Sequence, residues 1–436
     1  MVVTIVVLLI LAGVSISLIL DNNGIIKKSK DARREYGQAQ TNEQADLSNL
    51  SDWIDDATAE PTPKVNVNTK AEDNSTINGK KGNSNNPTIP KNYIPIDTAT
   101  STWGDGSTAP SQDSVNHGLV IKDEQNNEWV WVPVDKGTLA TMYEESSDEK
   151  TLCGTTGETA VKTKLYSKSE IISGKTRTTP GTISYREPDL VVGSGGKSYD
   201  ATYYRKILGK TGSKEQLAQL FVDEYKAMIE SVSKYGGFYI GRYELSGTVT
   251  EPTEKPEKTL TKTDWYNLYY ACRSSKLQAS DKVKTQMIWG CQWDVTMNWL
   301  ISSGAKTSDE VNKDSSTWGN YRNYNTANNY TEGTAGYEKN AGSLQNTGSS
   351  ENWKANNIYD LAGNVWEWTQ EANSTNSRAG RGGVYNNFGS SVPASYRYDS
   401  SPDYSGRGDV RFSSHFNNKV VLNSREWAPE CRIIIK

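Results

Sequence analysis

The stretch from Asn356 to Thr369, NNIYDLAGNVWEWT, places two carboxylates on either side of a short turn. Asp360 precedes the small residues around Gly363, and Glu367 follows them between two tryptophans. A pair of carboxylates can serve as general acid and base, or it can supply hard oxygen ligands to a metal ion. Packing of the indoles in a core is a third interpretation. Catalysis, metal binding and core packing all stay open from this stretch alone.

The residues that could support redox or soft-metal chemistry are few. The chain has four cysteines and only two histidines, at Cys153, Cys272, Cys291, Cys431, His117 and His415. No two cysteines have the CxxC spacing, so a zinc or thioredoxin-type site is not indicated. Cys272 and Cys291 fall in predicted helices, where we interpret them as buried thiols. A disulfide between them is an alternative that the spacing does not decide.

The charge balance excludes one large class of partner. Lys plus Arg is 48 and Asp plus Glu is 52, and no basic stripe stands out beyond a short run near the N-terminus. Nucleic-acid binding needs clustered positive charge, so no nucleic-acid partner is expected. Aromatic usage is skewed toward 13 Trp and 24 Tyr against 5 Phe, which favours half-buried positions and binding surfaces.

The first 56 residues predict a helix whose beginning is strongly apolar. The segment from Val2 to Leu20 is nineteen residues without a charge, which is long enough to span a bilayer or to pack in the core of a filament. A cleaved signal peptide is the alternative, but the segment ends in SLIL rather than in a small-residue cleavage site. From Ile25 onward the pattern is helical and polar, so an amphipathic continuation is expected.

Residues 57–117 predict a polar linker or stalk. Thr, Pro, Asn, Ser and Lys dominate this segment, and large apolar residues are sparse. Such a composition cannot bury enough surface to offset the entropy of ordering the chain. We therefore expect a flexible or extended spacer.

Residues 118–436 contain the elements that would position the opening turn. GLVIK and EWVWVPV predict a hairpin. SKEQLAQLFVDEYKAMIESVSKYGG predicts a helix with a capping box at Ser213 and Gln216 and a stop at Gly236. Two more helices, and then mostly loops and short strands, follow from about Asp264 to the C-terminus. The predicted fold class is therefore α+β.

Four blocks of this region resemble a known family. GGFYIGRYE, MIWGCQWDVTMNWL, NIYDLAGNVWEW and GRGGVYNN are similar to successive blocks of the formylglycine-generating enzymes, also called sulfatase-modifying factors. The resemblance covers residues 118–436 and implies a C-type-lectin-like fold with long loops. Separately, VVTIVVLLILAGVSIS followed by DNNGIIKKSKDA resembles the N-terminal helix of type IV pilin-like proteins. That second resemblance implies that residues 1–56 hold the chain in a membrane or a pilus.

The catalytic centres of the resembled family cannot be built from this sequence. The oxygen-dependent members bind copper through two cysteines late in the chain, and iron-dependent relatives use three histidines. Here Cys431 is the only cysteine in the last hundred residues, and the whole chain has two histidines. The chain is therefore not expected to be an enzyme or to hold a redox cofactor. A metal-dependent oxidase of the formylglycine-generating type is kept as an alternative.

The same resemblance implies a structural calcium site in the opening stretch. Carried over residue by residue, the site consists of the side chains of Asp360 and Glu367 with the backbone carbonyls of Gly363 and Val365. Several hard oxygens around a tight turn suit Ca²⁺. The alternative is that the two carboxylates cap turns or pair with Arg381. The neighbouring tryptophans are interpreted as core residues rather than as a ligand cage.

A ligand-binding face is predicted at residues 384–418. This segment is crowded with Ser, Tyr, Asn, Asp, Gly and Arg, a composition typical of antibody binding loops. Its arginines and aspartates balance, with Arg397 close to Asp399 in the sequence. The residues expected to contact a ligand are Tyr385, Phe388, Tyr396, Tyr398, Asp399, Asp403, Tyr404, Arg407, Asp409, Phe412 and His415. An ordinary solvated loop region is the alternative.

This segment also resembles the variable region of lectin-like proteins that diversity-generating retroelements rewrite. In those proteins a segment after R-G-G changes at adenine-containing codons, and changes at Asn codons yield the residue types abundant here. The sequence thus predicts a non-catalytic, adhesin-like protein displayed on a bacterial cell surface, membrane-anchored or pilus-associated. Its ligand would be an extracellular protein or glycan. A minor structural pilin without a ligand is a further alternative.

Overall fold

A computed structural model describes residues 61–96, 115–142, 144–153, 161–167, 187–188, 207, 213–372, 377–402, 416–417 and 420–424. The chain divides into two compact units, Met1–Glu60 and Pro61–Lys436, and every described residue belongs to the second. The predicted N-terminal helix of residues 1–56 lies outside the described part. Among the described residues, no helix combines the length and the apolar character needed to cross a membrane.

The longest described helix forms where local signals are strongest. The α-helices are α1 (Lys136–Met142), α2 (Lys214–Tyr235), α3 (Trp265–Cys272), α4 (Gly290–Ser302), α5 (Ser308–Asn312) and α6 (Tyr324–Ala327). At the start of α2, Ser213 and Gln216 exchange the two hydrogen bonds of a capping box. At its end, Gly236 adopts the left-handed conformation with φ of 73°. The predicted caps of this helix are confirmed.

The strands are short and fall into several sheets. They are β1 (Ser75–Thr76), β2 (Thr88–Ile89), β3 (Ile94–Ile96), β4 (Val120–Lys122), β5 (Glu128–Pro133), β6 (Glu144–Cys153), β7 (Val161–Ser167), β8 (Gly237–Gly241), β9 (Ser246–Gly247), β10 (Pro252–Thr253), β11 (Val283–Met287), β12 (Lys354–Ala355), β13 (Ile358–Tyr359), β14 (Trp366–Ala372), β15 (Arg378–Arg381), β16 (Tyr398–Ser400), β17 (Phe416–Asn417) and β18 (Val420–Ser424). The mixture of helices and small, mainly antiparallel sheets agrees with the predicted α+β class.

The largest sheet has six strands in the order β11-β18-β8-β5-β4-β3, and all its pairs are antiparallel. The pair β4–β5 is the predicted hairpin, with Val120 opposite Val130. A second sheet has the order β16-β15-β14-β17, in which β14 and β17 run parallel. The remaining described strands form two-stranded pairs. The opening turn leads into β14, so the second sheet is the one that positions the predicted site.

The core is built from aromatic side chains between the helices and the large sheet. All five residues of β8 are buried, as expected for a strand covered on both faces. Phe221 on α2 meets Trp265 edge to face with ring centres 5.9 Å apart, and Tyr225 meets Trp289 in the same way at 4.8 Å. Such aromatic pairs add to the free energy gained by burial. The tryptophans in the described part of the chain therefore serve mainly as core.

Residues 61–96 do not form the predicted stalk. Val65, Val67, Ile77, Ile89 and Tyr93 are buried in the hydrophobic core. The strand β3 pairs with β4 and forms an edge of the large sheet. Each apolar residue stands nearly alone among polar neighbours in the sequence, so average composition hid them. Their packing partners lie far along the chain, where a composition argument cannot find them.

We expect residues 61–96 to be required for folding, whereas the segment before them is not part of the same compact unit. A chain that begins at Pro61 should melt cooperatively. A chain that begins at Ile94 should be insoluble or lack a cooperative melt. Each lost core side chain removes roughly 1.5–3 kcal/mol, and a whole domain is stable by only about 5–15 kcal/mol. Calorimetry of both chains decides the matter, and equal melting temperatures would show that residues 61–93 contribute no core.

Candidate functional site

The turn of the opening stretch is closely fitted against a second loop. Gly363 has φ of 77°, and a Cβ at this position would lie 2.3 Å from the carbonyl oxygen of Asn320. The Asn364 N–H donates to that same carbonyl at 3.0 Å. A side chain at position 363 would therefore meet backbone, and its left-handed conformation also favours glycine. The sequence places the small residue here for steric reasons.

Asp360 is 1% exposed and serves this loop as a hydrogen-bond acceptor. Its Oδ2 accepts from the Thr347 hydroxyl at 2.9 Å and from the Gly348 N–H at 2.8 Å. A buried carboxylate needs such donors, because burial without them is costly. Asp360 thereby ties the residues before the turn to the loop around Thr347.

A buried acid–amide network that the sequence analysis missed holds the turn from the other side. The Asn364 side-chain amide donates to Glu244 Oε2 at 2.6 Å, and its carbonyl oxygen accepts from Asn320 at 3.0 Å. The Val365 N–H donates to Glu244 Oε1 at 3.4 Å. Glu244 is fully buried. It is the last residue of the block GGFYIGRYE, three residues after β8, and a carboxylate beside a buried strand is the one signal that could have identified it.

Glu367 lies beneath the R-G-G segment. Gly382 has φ of 88°, a left-handed conformation that favours glycine, and a Cβ there would lie 2.0 Å from Glu367 Oε2 unless that side chain moved. The Tyr321 hydroxyl is 2.8 Å from the Gly382 carbonyl oxygen and 2.9 Å from that of Val392. Burial raises the pKa of Tyr321 well above its usual value, and the charge of Glu367 adds to the effect. The tyrosine therefore stays a neutral donor that pins both ends of the loop after β15.

These contacts involve Asp360 Oδ2, one of the side-chain oxygens of the calcium site that the resemblance implies. Asp360 binds hydrogen-bond donors with Oδ2, whereas Glu367 faces Gly382 in a different set of neighbours. In the part of the chain that the structure describes, no group of three or more His, Cys, Asp or Glu residues is arranged to hold a metal ion. The hydrogen-bond geometry instead favours the alternative in which Asp360 organises turns. Calcium binding through Asp360, Gly363, Val365 and Glu367 stays a prediction.

The suggestion that Arg381 pairs with Asp360 or Glu367 is wrong. Its guanidinium binds Asp294 Oδ1 on α4 at 2.5 Å and Glu371 Oε2 on β14 at 3.2 Å. Arg397 binds the other oxygens of the same two carboxylates, Asp294 Oδ2 at 2.6 Å and Glu371 Oε1 at 3.0 Å. All four side chains are at most 3% exposed. We call this group the arginine clamp: Arg381, Arg397, Asp294 and Glu371.

The arginine clamp closes the base of the loop that carries the predicted binding residues. Arg381 lies immediately before residues 382–396, and Arg397 lies immediately after them. The sequence counts Arg397 among the balanced charges of the predicted face, but its side chain is 3% exposed and points into the core. Two guanidiniums that share two carboxylates fix both ends of the loop relative to α4.

Burial shifts the pKa of two clamp members, Glu371 and Arg397, and of Glu187 beside them. Glu187 accepts hydrogen bonds from the Gly290 and Cys291 N–H groups at the start of α4, at 2.6 Å and 3.4 Å. Burial raises the pKa of Glu187 to about 7. It also raises the pKa of Glu371, against the opposing charge of Arg381, and lowers the pKa of Arg397 to about 9. Desolvation is the largest influence in each case.

The structure describes five of the eleven predicted binding residues, and these five differ in exposure. Phe388 is 45% exposed and Asp399 is exposed, whereas Tyr385 and Tyr398 are half-buried. Tyr396 is 6% exposed, so it supports the fold and offers little surface to a ligand. The others lie outside the described residues: Asp403, Tyr404, Arg407, Asp409, Phe412 and His415.

Two aromatic residues of the predicted face, Tyr398 and Phe388, pack against groups that the fold holds in place. Tyr398 stacks on Trp366 with ring centres 5.1 Å apart and planes at 21°. The Arg322 guanidinium lies 5.6 Å from the centre of the Phe388 ring, and the Arg322 N–H donates to the Asn387 carbonyl at 3.0 Å. Each aromatic group therefore has one side held by the protein and another available to solvent.

The two cysteines of the described core do not form a disulfide. Cys272 and Cys291 are both buried thiols, which confirms the first of the two interpretations. The Tyr225 hydroxyl lies 3.9 Å from Cys291 Sγ. These residues act as small core groups.

Comparison with known proteins gives limited guidance. No protein-family profile matches the sequence, and no curated protein matches it. Ten solved chains match in structure, among them Treponema denticola variable protein 1. That match is 10% identical in sequence, covers 68% of this chain and 96% of the other, and has a TM-score of 0.26. At this level of similarity the match assigns neither a family nor a function to the chain.

We expect the arginine clamp to be fragile when one acid is removed. Asp294→Ala should lower the free energy of unfolding by about 3–5 kcal/mol, because it leaves two buried arginines short of a partner. Asp309→Ala is the matched control, since its 2.8 Å pair with Lys313 is exposed at both side chains. The control should cost under about 1 kcal/mol. Urea unfolding measures both, and similar losses in the two variants would contradict a structural role for the clamp.

If Asp360 serves only as a hydrogen-bond acceptor, chelation leaves stability unchanged. A ligand that binds only the folded state raises the melting temperature in proportion to its occupancy. The melt should therefore be the same in EDTA and in millimolar CaCl₂. A rise in calcium that Asp360→Ala removes would establish the calcium site implied by the resemblance. The same rise retained in that variant would place calcium elsewhere.

Proposed function

We propose that the chain is a non-catalytic, adhesin-like protein that presents residues 384–418 as a ligand-binding face. Its C-terminal part would have a C-type-lectin-like fold. The observation that carries the proposal is the contrast between surface and base in this segment. Phe388 and Asp399 are exposed, while the arginine clamp beneath them is almost wholly buried.

A fixed base of this kind suits recognition. A loop that is already ordered loses less conformational entropy when a ligand binds. Tyr and Phe supply large contact areas with few rotatable bonds, and neighbouring Asn and Ser side chains supply adaptable hydrogen bonds. Asn386 and Asn387 are exposed beside Phe388. The described half of the predicted face thus combines the two kinds of side chain that binding loops use.

The non-catalytic part of the proposal rests on the residue counts. A copper site of the formylglycine-generating type needs two late cysteines, and the related iron site needs three histidines. The chain supplies one late cysteine and two histidines in total. Near the opening turn, Asp360 accepts from a hydroxyl and Glu244 accepts from a side-chain amide, which supports a structural role for these two carboxylates.

Display and diversification complete the proposal and rest on the sequence. The apolar segment from Val2 to Leu20 would anchor the protein in a bacterial membrane or pilus. The exposed Asn, Tyr, Ser and Asp residues after R-G-G would be positions rewritten by a retroelement. The arginine clamp supports this idea physically, because exposed side chains can change there while the buried base holds the loop.

The binding face is tested by alanine substitutions that separate recognition from stability. Phe388→Ala and Tyr398→Ala should each weaken capture on glycan and protein arrays by roughly tenfold or more, the effect expected of an aromatic hot spot. Phe388→Ala should change the free energy of unfolding by under about 0.5 kcal/mol, because the ring is exposed. Trp366→Ala should cost roughly 3–5 kcal/mol.

The matched control is Tyr270→Ala, an aromatic residue on α3 that is 36% exposed and outside the proposed face. It should leave capture unchanged. Capture that survives both face variants, or that is lost equally in the control, would contradict the proposal. Sequencing the locus tests diversification separately: a near-copy of this segment differing at adenines, beside a reverse-transcriptase gene, is expected. Without that repeat, a fixed binding face would be the only form of the proposal left.

A further inference from the structure

A polar groove lies at the far end of α4 from the arginine clamp. Its cavity volume is about 470 Å³ and it is open to solvent. Residues of α4, the start of α1 and two turns line it. Asp294 and Ser302 are eight residues apart on α4, which corresponds to about 12 Å along a helix. The groove shares no residue with the predicted binding face.

The side chains around the groove are mainly neutral and polar. Asn116, Asn298 and Ser302 contribute amide and hydroxyl groups, and Asp135 contributes one carboxylate. Trp299 adds part of an indole to the wall. The lining described here includes neither Lys nor Arg. Phosphate and nucleotide sites commonly use Lys or Arg. The lining offers only His117 as a basic group, beside the carboxylate of Asp135, so it does not favour anions.

Asn298 is the residue in the groove that the fold itself does not explain. It is half-buried on α4, yet no hydrogen bond joins its amide to any described residue. Its neighbours are engaged: Ser303 Oγ accepts from Asn356 at 2.8 Å, and Asp135 Oδ1 accepts from the Thr138 N–H at 2.6 Å. An amide offers two donors and an acceptor, and in a half-buried position it needs water or a ligand to satisfy them.

We infer that this groove binds a neutral saccharide. A sugar hydroxyl donates and accepts at once, so it matches side-chain amides, a serine hydroxyl and a carboxylate placed around one space. The single carboxylate of Asp135 disfavours anionic sugars and accepts from hydroxyls. This site would act independently of the binding face at residues 384–418.

The test uses the full chain and titrates glucose, galactose, mannose and N-acetylglucosamine by saturation-transfer NMR. At least one neutral sugar should bind at millimolar concentration, and inorganic phosphate should not compete with it. Asn298→Ala should weaken that binding roughly fivefold to tenfold, the effect of losing one hydrogen-bonding group. Its melting temperature should stay unchanged, because the amide has no hydrogen bond within the described fold to lose.

Two further variants make the outcome decisive. Asn346→Ala removes an exposed asparagine outside the groove and should leave sugar binding unchanged. Sugar binding lost in Phe388→Ala but kept in Asn298→Ala would place the sugar on the binding face and overturn the inference. No binding of any of the four sugars, or displacement by phosphate, would also overturn it. The last two results would leave the proposed capture by residues 384–418 unaffected.

Discussion

The fold around the predicted site depends on charges that have been taken out of water together. Asp294 and Glu371 come from α4 and β14, and each contacts both Arg381 and Arg397. Desolvating one such charge alone would cost several kcal/mol, and only the complete set offsets that cost. The helix, the strand and both ends of the following loop must therefore be in place at the same time. If the second sheet shifted against α4, a charged side chain would stay buried without its oppositely charged partner.

The small residues of the opening turn follow from the same close approach of elements. Gly363 lies against Asn320, and Gly382 lies against Glu367. The conspicuous carboxylates of the sequence then act as acceptors within the protein, as Asp360 does toward Thr347 and Gly348. A pattern that suggested metal chemistry is explained in the described structure by loops that need buried acceptors to bring their backbones together.

The sequence was sufficient where the determining contacts are local. The capping box and the glycine stop of α2 and the hairpin β4–β5 depend on residues a few positions apart, so pattern and propensity find them.

The same reasoning fails where the determining contacts join residues far apart in the sequence. Residues 61–96 look like a spacer because their apolar side chains are scattered, and Arg397 looks exposed because its partners are 26 and 103 residues away. Glu244 was missed since one carboxylate carries no motif. About half of the predicted binding face lies in described residues. Among its predicted aromatic residues, Phe388 is exposed and Tyr396 is buried.

The close contact between Gly382 and Glu367 marks where a tightly packed part of the chain gives way to a more exposed segment. At Gly382 the φ of 88° strains any other side chain and a methyl group would press on Glu367, whereas six residues later the ring of Phe388 is 45% exposed. Whether sequence variants arise by slow drift or by rapid rewriting, those altered at Gly382 would be selected against because they fold poorly. Copies altered at Gly382 would be removed before their affinity for any target mattered. Lineages of this protein should thus keep a frozen R-G-G beside a segment free to diverge, without any selection for the motif as a contact.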